Sequence, residues 1–393
     1  MDTIIWRLLD FLAVAEFSQA VLLVFILLVM ERNRRANIFF AVFILILSSN
    51  FFSLYLMKAD MKVVSSIFFL VAVPGISLTG VCIYFYAMFI TGLLEGLRVK
   101  HILHLGVYLA SLGVTVAAML SIDGNPARAV LKDSVLFRNS IFTVISAGLL
   151  CSIGYIVYTL ALLKRYYDRI GNYYSDIERM SLNWVRLLSA MSFLVLVFWC
   201  VGFWLGHLHV IPRSPAGMTI NLIMLIAIIF VTAYRLINQP EIFKYNVEMT
   251  HEIEETDSQA GGEKYARQSI DDRMQDEYLE KLKQYMEGEK PYLNENITIK
   301  DLSEEIKIPS HHLSIVINNR LGKNFYTFIN DYRIKEALSI LNDPENSDAS
   351  ILAIAFRAGF NSKSTFNSVF KKITGKTPSE YRSTSGFRSE LAS

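Results

Sequence analysis

The chain has 393 residues, 53% of them hydrophobic, with 38 Lys and Arg against 36 Asp and Glu. A mean hydropathy of +0.36 excludes an ordinary soluble domain throughout, because such domains run at roughly 45–50% apolar. The net charge of +2 identifies no partner, and almost all the apolar excess lies before Pro240, so the chain divides into two parts of different character.

A helix needs about 20 mostly apolar residues to cross roughly 30 Å of hydrocarbon. Seven runs meet this requirement: Phe11–Met30, Asn37–Met57, Val63–Thr91, His101–Ser121, Asn139–Leu163, Leu187–Leu208 and Ala216–Tyr234. They are continuous, not alternating, which predicts helices over barrel strands. The third is long and holds Pro74, so a kink or strong tilt is expected. The start, Met-Asp without a basic segment or a small-residue cleavage site after the apolar run, does not read as a cleavable signal peptide.

Basic residues orient the spans. With the N-terminus outside, the inner connections hold Arg32, Arg34, Arg35, Arg98, Lys100, Lys164, Arg165, Arg169, Arg179, Arg186, Arg235 and Lys244. The outer side holds Arg7, Lys58, Lys62, Arg128, Lys132, Arg138 and Arg213. The bias, 12 against 7, predicts a multi-pass protein of the bacterial cytoplasmic membrane with its C-terminal part in the cytoplasm.

Few polar residues interrupt the spans. Glu16 stands out, with Ser18 and Gln19 beside it. An acid within a span is costly and faces the bundle interior. It reads either as a sensing site of Glu16 and Gln19 in the outer half or as a helix–helix hydrogen bond that fixes packing. His207 and His209, near Trp199 and Trp204, and the pair His101 and His104 read as interfacial, not as metal ligands. Cys82, Cys151 and Cys200 fall inside apolar runs and read as small packing residues.

From Glu241 to about Asp276 the chain is polar, with an acidic stretch of Glu248, Glu252, Glu254, Glu255 and Asp257 before Gly261-Gly262. This reads as a linker. From Glu277 a helical pattern begins, with Tyr278, Leu279, Leu282 and Tyr285 on one face. It reads as a solvated spacer or as a segment for dimer contact or signal transmission. The expected division is 1–240 membrane, 241–276 linker, 277–385 soluble helical domain and 386–393 tail, an all-α protein.

The strongest pattern runs from Thr298 to Arg382. Thr298-Ile-Lys-Asp301 opens a helix with a capping box, and Leu302 and Ile306 share its face. After Ile308-Pro309, Ser310 is expected to cap a second helix that buries Leu313, Val316 and Ile317 and stops at Gly322. Two short helices about a tight turn make a helix-turn-helix. A longer helix, Phe325 to Leu341, offers Phe328, Tyr332, Ala337, Leu338 and Leu341 to join two halves, and Asn342-Asp343-Pro344 breaks it. The pattern then repeats. Ile351, Ile354 and Ala355 mark a helix, Gly359-Phe360-Asn361 the turn, and Ser362 the cap of a helix with Phe366, Val369, Phe370 and Ile373 in one stripe. Thr377-Pro-Ser-Glu380 starts a last short helix.

This region resembles the arabinose-regulator (AraC) family of transcription factors. The resemblance rests on Tyr332-Arg333, Ala337, Ile354-Ala355, Ala358-Gly359-Phe360, Ser362, Phe366, Phe370-Lys371-Lys372, Gly375-Lys-Thr377-Pro378 and Tyr381-Arg382, and covers about a quarter of the chain. It implies two recognition helices, each entering a successive major groove, and sequence-specific control of transcription. Family members commonly carry a soluble effector domain where this chain has apolar runs, so the family's effectors are not implied.

Helix geometry selects the side chains expected to meet DNA. In the second unit Ser364, Asn367, Ser368 and Lys371 lie opposite the buried stripe, with Lys363 and Lys372 beside them. Short polar groups suit base edges and lysines suit phosphates. Ser362 to Arg382 holds five basic residues and one acidic, Glu380, a basic footprint on a balanced chain. In the first unit His311, Ile315 and Asn318 face outward, flanked by His312, Ser314 and Asn319, with Ile315 suited to a thymine methyl. Arg333 and Arg382 read either as DNA contacts or as structural groups at helix ends.

The expected partners are double-stranded DNA and membrane lipids, with a small-molecule or membrane signal, a second copy of the chain and RNA polymerase as further candidates. No cofactor is expected, and no enzyme. The alternative is a transporter or membrane enzyme that the helix-turn-helix part regulates. Against it stand the absence of HExxH, of a phosphate-cradling glycine loop and of paired intramembrane carboxylates.

Overall fold

The computed structural model describes all residues except 1, 32, 60, 95, 123–134, 178–181, 209–214, 238–270, 347 and 384–393. Residues 241–270 of the linker, most of the connection after the fourth run, the side chains of His207 and His209, and the tail lie outside what is described. The described residues are helical, and their one β pairing is an isolated antiparallel bridge between Tyr174 and Thr298. They group into two units: Met1–Leu163 with Leu182–Glu248, and Lys164–Ser181 with Met249–Ser393.

The first unit contains α1 (Asp2–Val29), α2 (Arg34–Lys58), α3 (Lys62–Ile90), a 3₁₀ stretch Val99–Leu105 leading into α4 (Gly106–Leu120), α5 (Val135–Ile170), α6 (Asn183–His207) and α7 (Pro215–Ile237). The last turns of α5, from Lys164, belong to the second unit. Among the described residues, six helices are long and apolar enough to cross a membrane, and they fall on the first six expected runs. The seventh run forms α7, 23 residues long, of which Leu222–Val231 is an apolar stretch of described residues. The helices present large apolar side chains outward, Phe11, Leu22, Phe25, Leu194 and Phe230 each more than half exposed. Water would penalise such a surface and lipid does not.

Small and hydroxyl residues carry the contacts within the unit. A Cβ on Gly80 would collide with the Ser152 carbonyl oxygen, so α3 and α5 touch backbone to backbone there. Thr79 Oγ1 donates to Ser152 Oγ at 2.9 Å, and Ser152 Oγ donates to the Ile76 carbonyl at 2.6 Å. Close approach of small residues is how helices associate where the hydrophobic effect is silent. α3 continues through Pro74, whose carbonyl accepts from Ser77 Oγ at 2.8 Å.

The second unit contains α8 (Asp272–Gly288), a 3₁₀ turn Pro291–Leu293, α9 (Ile299–Ile306), α10 (Ser310–Leu321), α11 (Phe325–Asn342), α12 (Ile351–Arg357), α13 (Lys363–Thr374) and a last helix, α14, over 378–383. It has two cores. Leu282 and Met286 of α8 join Leu302, Ile306, Leu313, Ile317, Phe325, Phe328 and Ile329 in the first. Ile334, Ala337, Ile340, Ile354, Ala355, Phe360, Phe366, Val369 and Phe370 form the second. α11 thus gives its first half to one core and its second half to the other. The helix expected from Glu277 starts at Asp272 and is built into the first core.

Candidate nucleic-acid interface

Local chemistry sets each short helix. Thr298 caps α9 reciprocally: Asp301 N–H donates to Thr298 Oγ1 at 3.2 Å, and Thr298 N–H donates to the Asp301 carboxylate at 2.8 Å. α10 begins with Pro309 as its N-cap and Ser310 as its first helical residue, so Ser310 does not cap it as expected. Gly322, at φ 64°, ends it in the left-handed region, where a glycine carries no steric cost. α10 buries Leu313, Val316 and Ile317.

Its outward side is less open than expected. Asn318 and Asn319 are exposed, whereas His311, His312, Ser314 and Ile315 are half-buried. The reason is α8. Tyr278 stacks on His312 with ring centroids 5.9 Å apart, and Arg320 is held by Asp272 and Asp276 at 2.9 and 3.0 Å. Burial, and His311 beside it, push the His312 pKa below the ordinary 6.5. Asn318 Nδ2 donates to the Ser314 carbonyl at 2.8 Å. Ile315, expected to be exposed, presents only part of its side chain.

The second unit follows the expected pattern more closely. Ser362 caps α13, its Oγ accepting from Thr365 N–H at 3.1 Å, and Gly375 at φ 78° ends the helix. Phe366, Val369 and Phe370 are buried. Lys363, Ser364, Ser368, Lys371 and Lys372 are exposed and Asn367 is half-buried. The stripe is one residue shorter than expected. Ile373 is 45% exposed because it sits in the last turn, past the patch that Phe360 and Tyr381 cover. Thr377 and Glu380 cap α14 as expected, with Thr377 N–H donating to Glu380 at 2.8 Å. These bonds hold the Glu380 carboxyl below its usual pKa.

Between the two helix-turn-helix units stands Arg333, 2% exposed. Its Nε donates to the Tyr292 carbonyl at 2.8 Å, and Nη2 donates to the carbonyls of Asn294 at 2.8 Å and Glu295 at 3.3 Å. Nη2 also donates to Ser175 Oγ at 3.2 Å, and Nη1 to the Ser175 carbonyl at 3.4 Å. The guanidinium lies 5.7 Å from the Phe360 ring centroid. Burial brings its pKa down to about 10, opposed first by Asp176, so it is charged at neutral pH and structural. The turn glycine, Gly359 at φ 86°, presses on the same carbonyl: any Cβ there would collide with Tyr292 O. Sequence reasoning missed Gly171, Tyr173, Ser175 and Asp176 as members of this unit. No local signal marks them, since the inner connection offers only its charge.

In the first unit of the structure, Glu16 is fully buried, with Oε1 accepting from Ser48 Oγ of α2 at 2.6 Å. Glu16 Oε2 and Gln19 Oε1 are buried and have no hydrogen-bond partner among the described residues. The expected helix–helix hydrogen bond is therefore present, alongside acceptor capacity that is not used.

Residues 302–384 match a family model described as a helix-turn-helix domain. Over 86 residues the chain is 34% identical to the melibiose operon regulatory protein of Escherichia coli (strain K12), covering 22% of this chain and 28% of that one. Over 91 residues it is 34% identical to an uncharacterized HTH-type transcriptional regulator of Staphylococcus aureus (strain COL), 23% of this chain and 12% of that one. A counterpart in Staphylococcus aureus (strain N315) matches to the same extent. The match thus spans less than a third of each of these relatives. No solved structure matches the chain significantly.

Proposed function

We propose that the chain is a membrane-bound, one-component transcription regulator that reads double-stranded DNA with α10 and α13 under control of a signal received in or at the bacterial cytoplasmic membrane. The observation that carries this reading is the pair of helix-turn-helix units on one shared helix, with Lys363, Ser364, Ser368, Lys371 and Lys372 exposed on α13. The names of the relatives support it, since each is called a regulator or regulatory protein. α13 supplies base contacts through Ser364, Asn367 and Ser368 and phosphate contacts through its lysines. α10 contributes Asn318 and Asn319, with His311, His312, Ser314 and Ile315 at its edge.

The six apolar helices and α7 make seven spans, N-terminus outside, which places the second unit with the chromosome. Seven spans exceed what an anchor needs, and the unused acceptors of Glu16 and Gln19 give the bundle a polar site for a signal. Mapping chromosomal binding sites of the intact protein in cells tests the regulator reading, which an empty map overturns. A target-promoter reporter then compares wild type with Glu16→Gln. Output locked high or low supports sensing at Glu16, and output that tracks wild type in every condition makes Glu16 a packing residue.

A further inference from the structure

The stretch that joins α5 to α6 connects two apolar spans, yet its residues 171–177 are packed into the helix-turn-helix unit. Three backbone bonds seat it. Tyr326 N–H donates to the Gly171 carbonyl at 2.9 Å, Ile299 N–H to the Tyr173 carbonyl at 2.9 Å, and Ser175 N–H to the Ile297 carbonyl at 3.3 Å. Ser175, 1% exposed, adds an Oγ–H bond to Ile297 O at 2.6 Å and receives the Arg333 guanidinium. Tyr173 packs against the first core, and the Asn361 amide donates to the Asp176 carboxylate. At Gly171 a Cβ would lie 2.8 Å from Asn324 Nδ2, so the fit is close.

The segment therefore touches all three parts of the unit: the start of α9, the start and middle of α11, and the turn before α13. The residues bonded to it, Ile297, Ile299, Tyr326, Arg333 and Asn361, lie off the outward faces of α10 and α13. Backbone and short side-chain bonds with one aromatic anchor make a contact that is specific in geometry, and a displacement of the segment would break them together. Its tether to two spans gives it a high effective concentration when the bundle holds it in reach.

We propose that residues 171–177 are an internal ligand of the helix-turn-helix unit. Docked, they brace its two halves in the arrangement that binds DNA. A change in the bundle that moves the ends of α5 and α6 withdraws the brace and lowers DNA affinity. This rests on the regulator reading above. It makes the inner connection, not only the linker before α8, the route from membrane to DNA.

The test uses the full chain with its three cysteines replaced by alanine. Tyr174 and Thr298 are antiparallel bridge partners, a Cα separation that a disulfide spans. Tyr174→Cys with Thr298→Cys should oxidise within one chain in membrane vesicles, and Tyr174→Cys with Lys372→Cys should not. No crosslink, or one that joins two chains, overturns the internal dock. In nanodiscs, on a fragment recovered by the chromosomal map, the oxidised protein should bind within threefold of the reduced one. Asp176→Arg, which faces Arg333 with like charge, should bind at least tenfold more weakly. Loss of binding on oxidation makes the segment an inhibitor and overturns the brace, as does wild-type affinity in Asp176→Arg. A chain that crosslinks but yields an empty map overturns the regulator reading and the brace's effect on DNA, while the dock stands on the crosslink.

Discussion

Replacing Arg333 by methionine should loosen the two helix-turn-helix units from each other. The guanidinium makes two short bonds, 2.8 Å each, to the carbonyls of Tyr292 and Asn294, and three longer ones. Bonds from a charged donor contribute about 1.5–3 kcal/mol each, so the short pair alone contributes roughly 3–6 kcal/mol. Burial works against this. A fall from 12.5 to about 10 corresponds to roughly 3 kcal/mol of lost hydration, which the longer bonds partly offset. The net loss on removing the group is about 2–4 kcal/mol, since the stranded carbonyls of Tyr292 and Ser175 find no replacement donor. Local opening should then rise roughly 30- to 1000-fold. Hydrogen exchange of the full chain in nanodiscs reads this directly: peptides over 292–299 and 358–362 should lose protection while those of α1 to α3 do not. Arg333→Lys should resemble methionine, because one ammonium cannot serve both carbonyls. Protection within threefold of wild type in Arg333→Met would refute the hub.

Asn367→Ala should relax preference at a few base pairs, a discrimination of about 1–3 kcal/mol. Lys372→Ala should weaken binding to every sequence and flatten its salt dependence; a binding assay on specific and random DNA across salt separates the two, and equal effects contradict the assignment. A reporter fused after Ser393 should read cytoplasmic, and one within residues 123–134 external; an external C-terminus refutes the topology. Burial, and His311 beside it, hold the His312 pKa below 6.5 when folded. The unfolded chain takes up the proton first, so its contribution is present above about pH 6.5 and lost as pH falls through the folded value. Exchange protection of α8 should therefore weaken as pH falls below about 6.5 in wild type and not in His312→Phe.

The features legible in the sequence are those whose causes lie within a few residues. The boxes at Thr298 and Thr377, the Ser362 cap and the stop at Gly322 need only neighbours three to five positions away, and the structure has each of them. The buried stripes of α10 and α13 follow from helical period alone. What was missed depends on remote partners. α8 covers the flank of α10, which is why His312 is less open than its position on α10 suggests. Ser175 meets Arg333 across 158 positions, a distance at which charge and periodicity are silent. Glu16 was visible as a costly acid, but that Ser48 satisfies only one of its oxygens is a matter of how α1 and α2 pack.

Sharing α11 between two cores has an evolutionary consequence. Its 18 residues span about 27 Å, and one residue added within it would turn everything beyond by about 100° and advance it about 1.5 Å. Both cores would then be mispacked at once, so length changes in this helix are purged whatever they do to DNA. Outward positions such as Ser368 and Asn319 are under no such restraint, because they are exposed and belong to neither core. On the regulator reading proposed above, a lineage descended from this chain could respell its target sites one base at a time, but it would inherit the distance between the two halves of those sites unchanged.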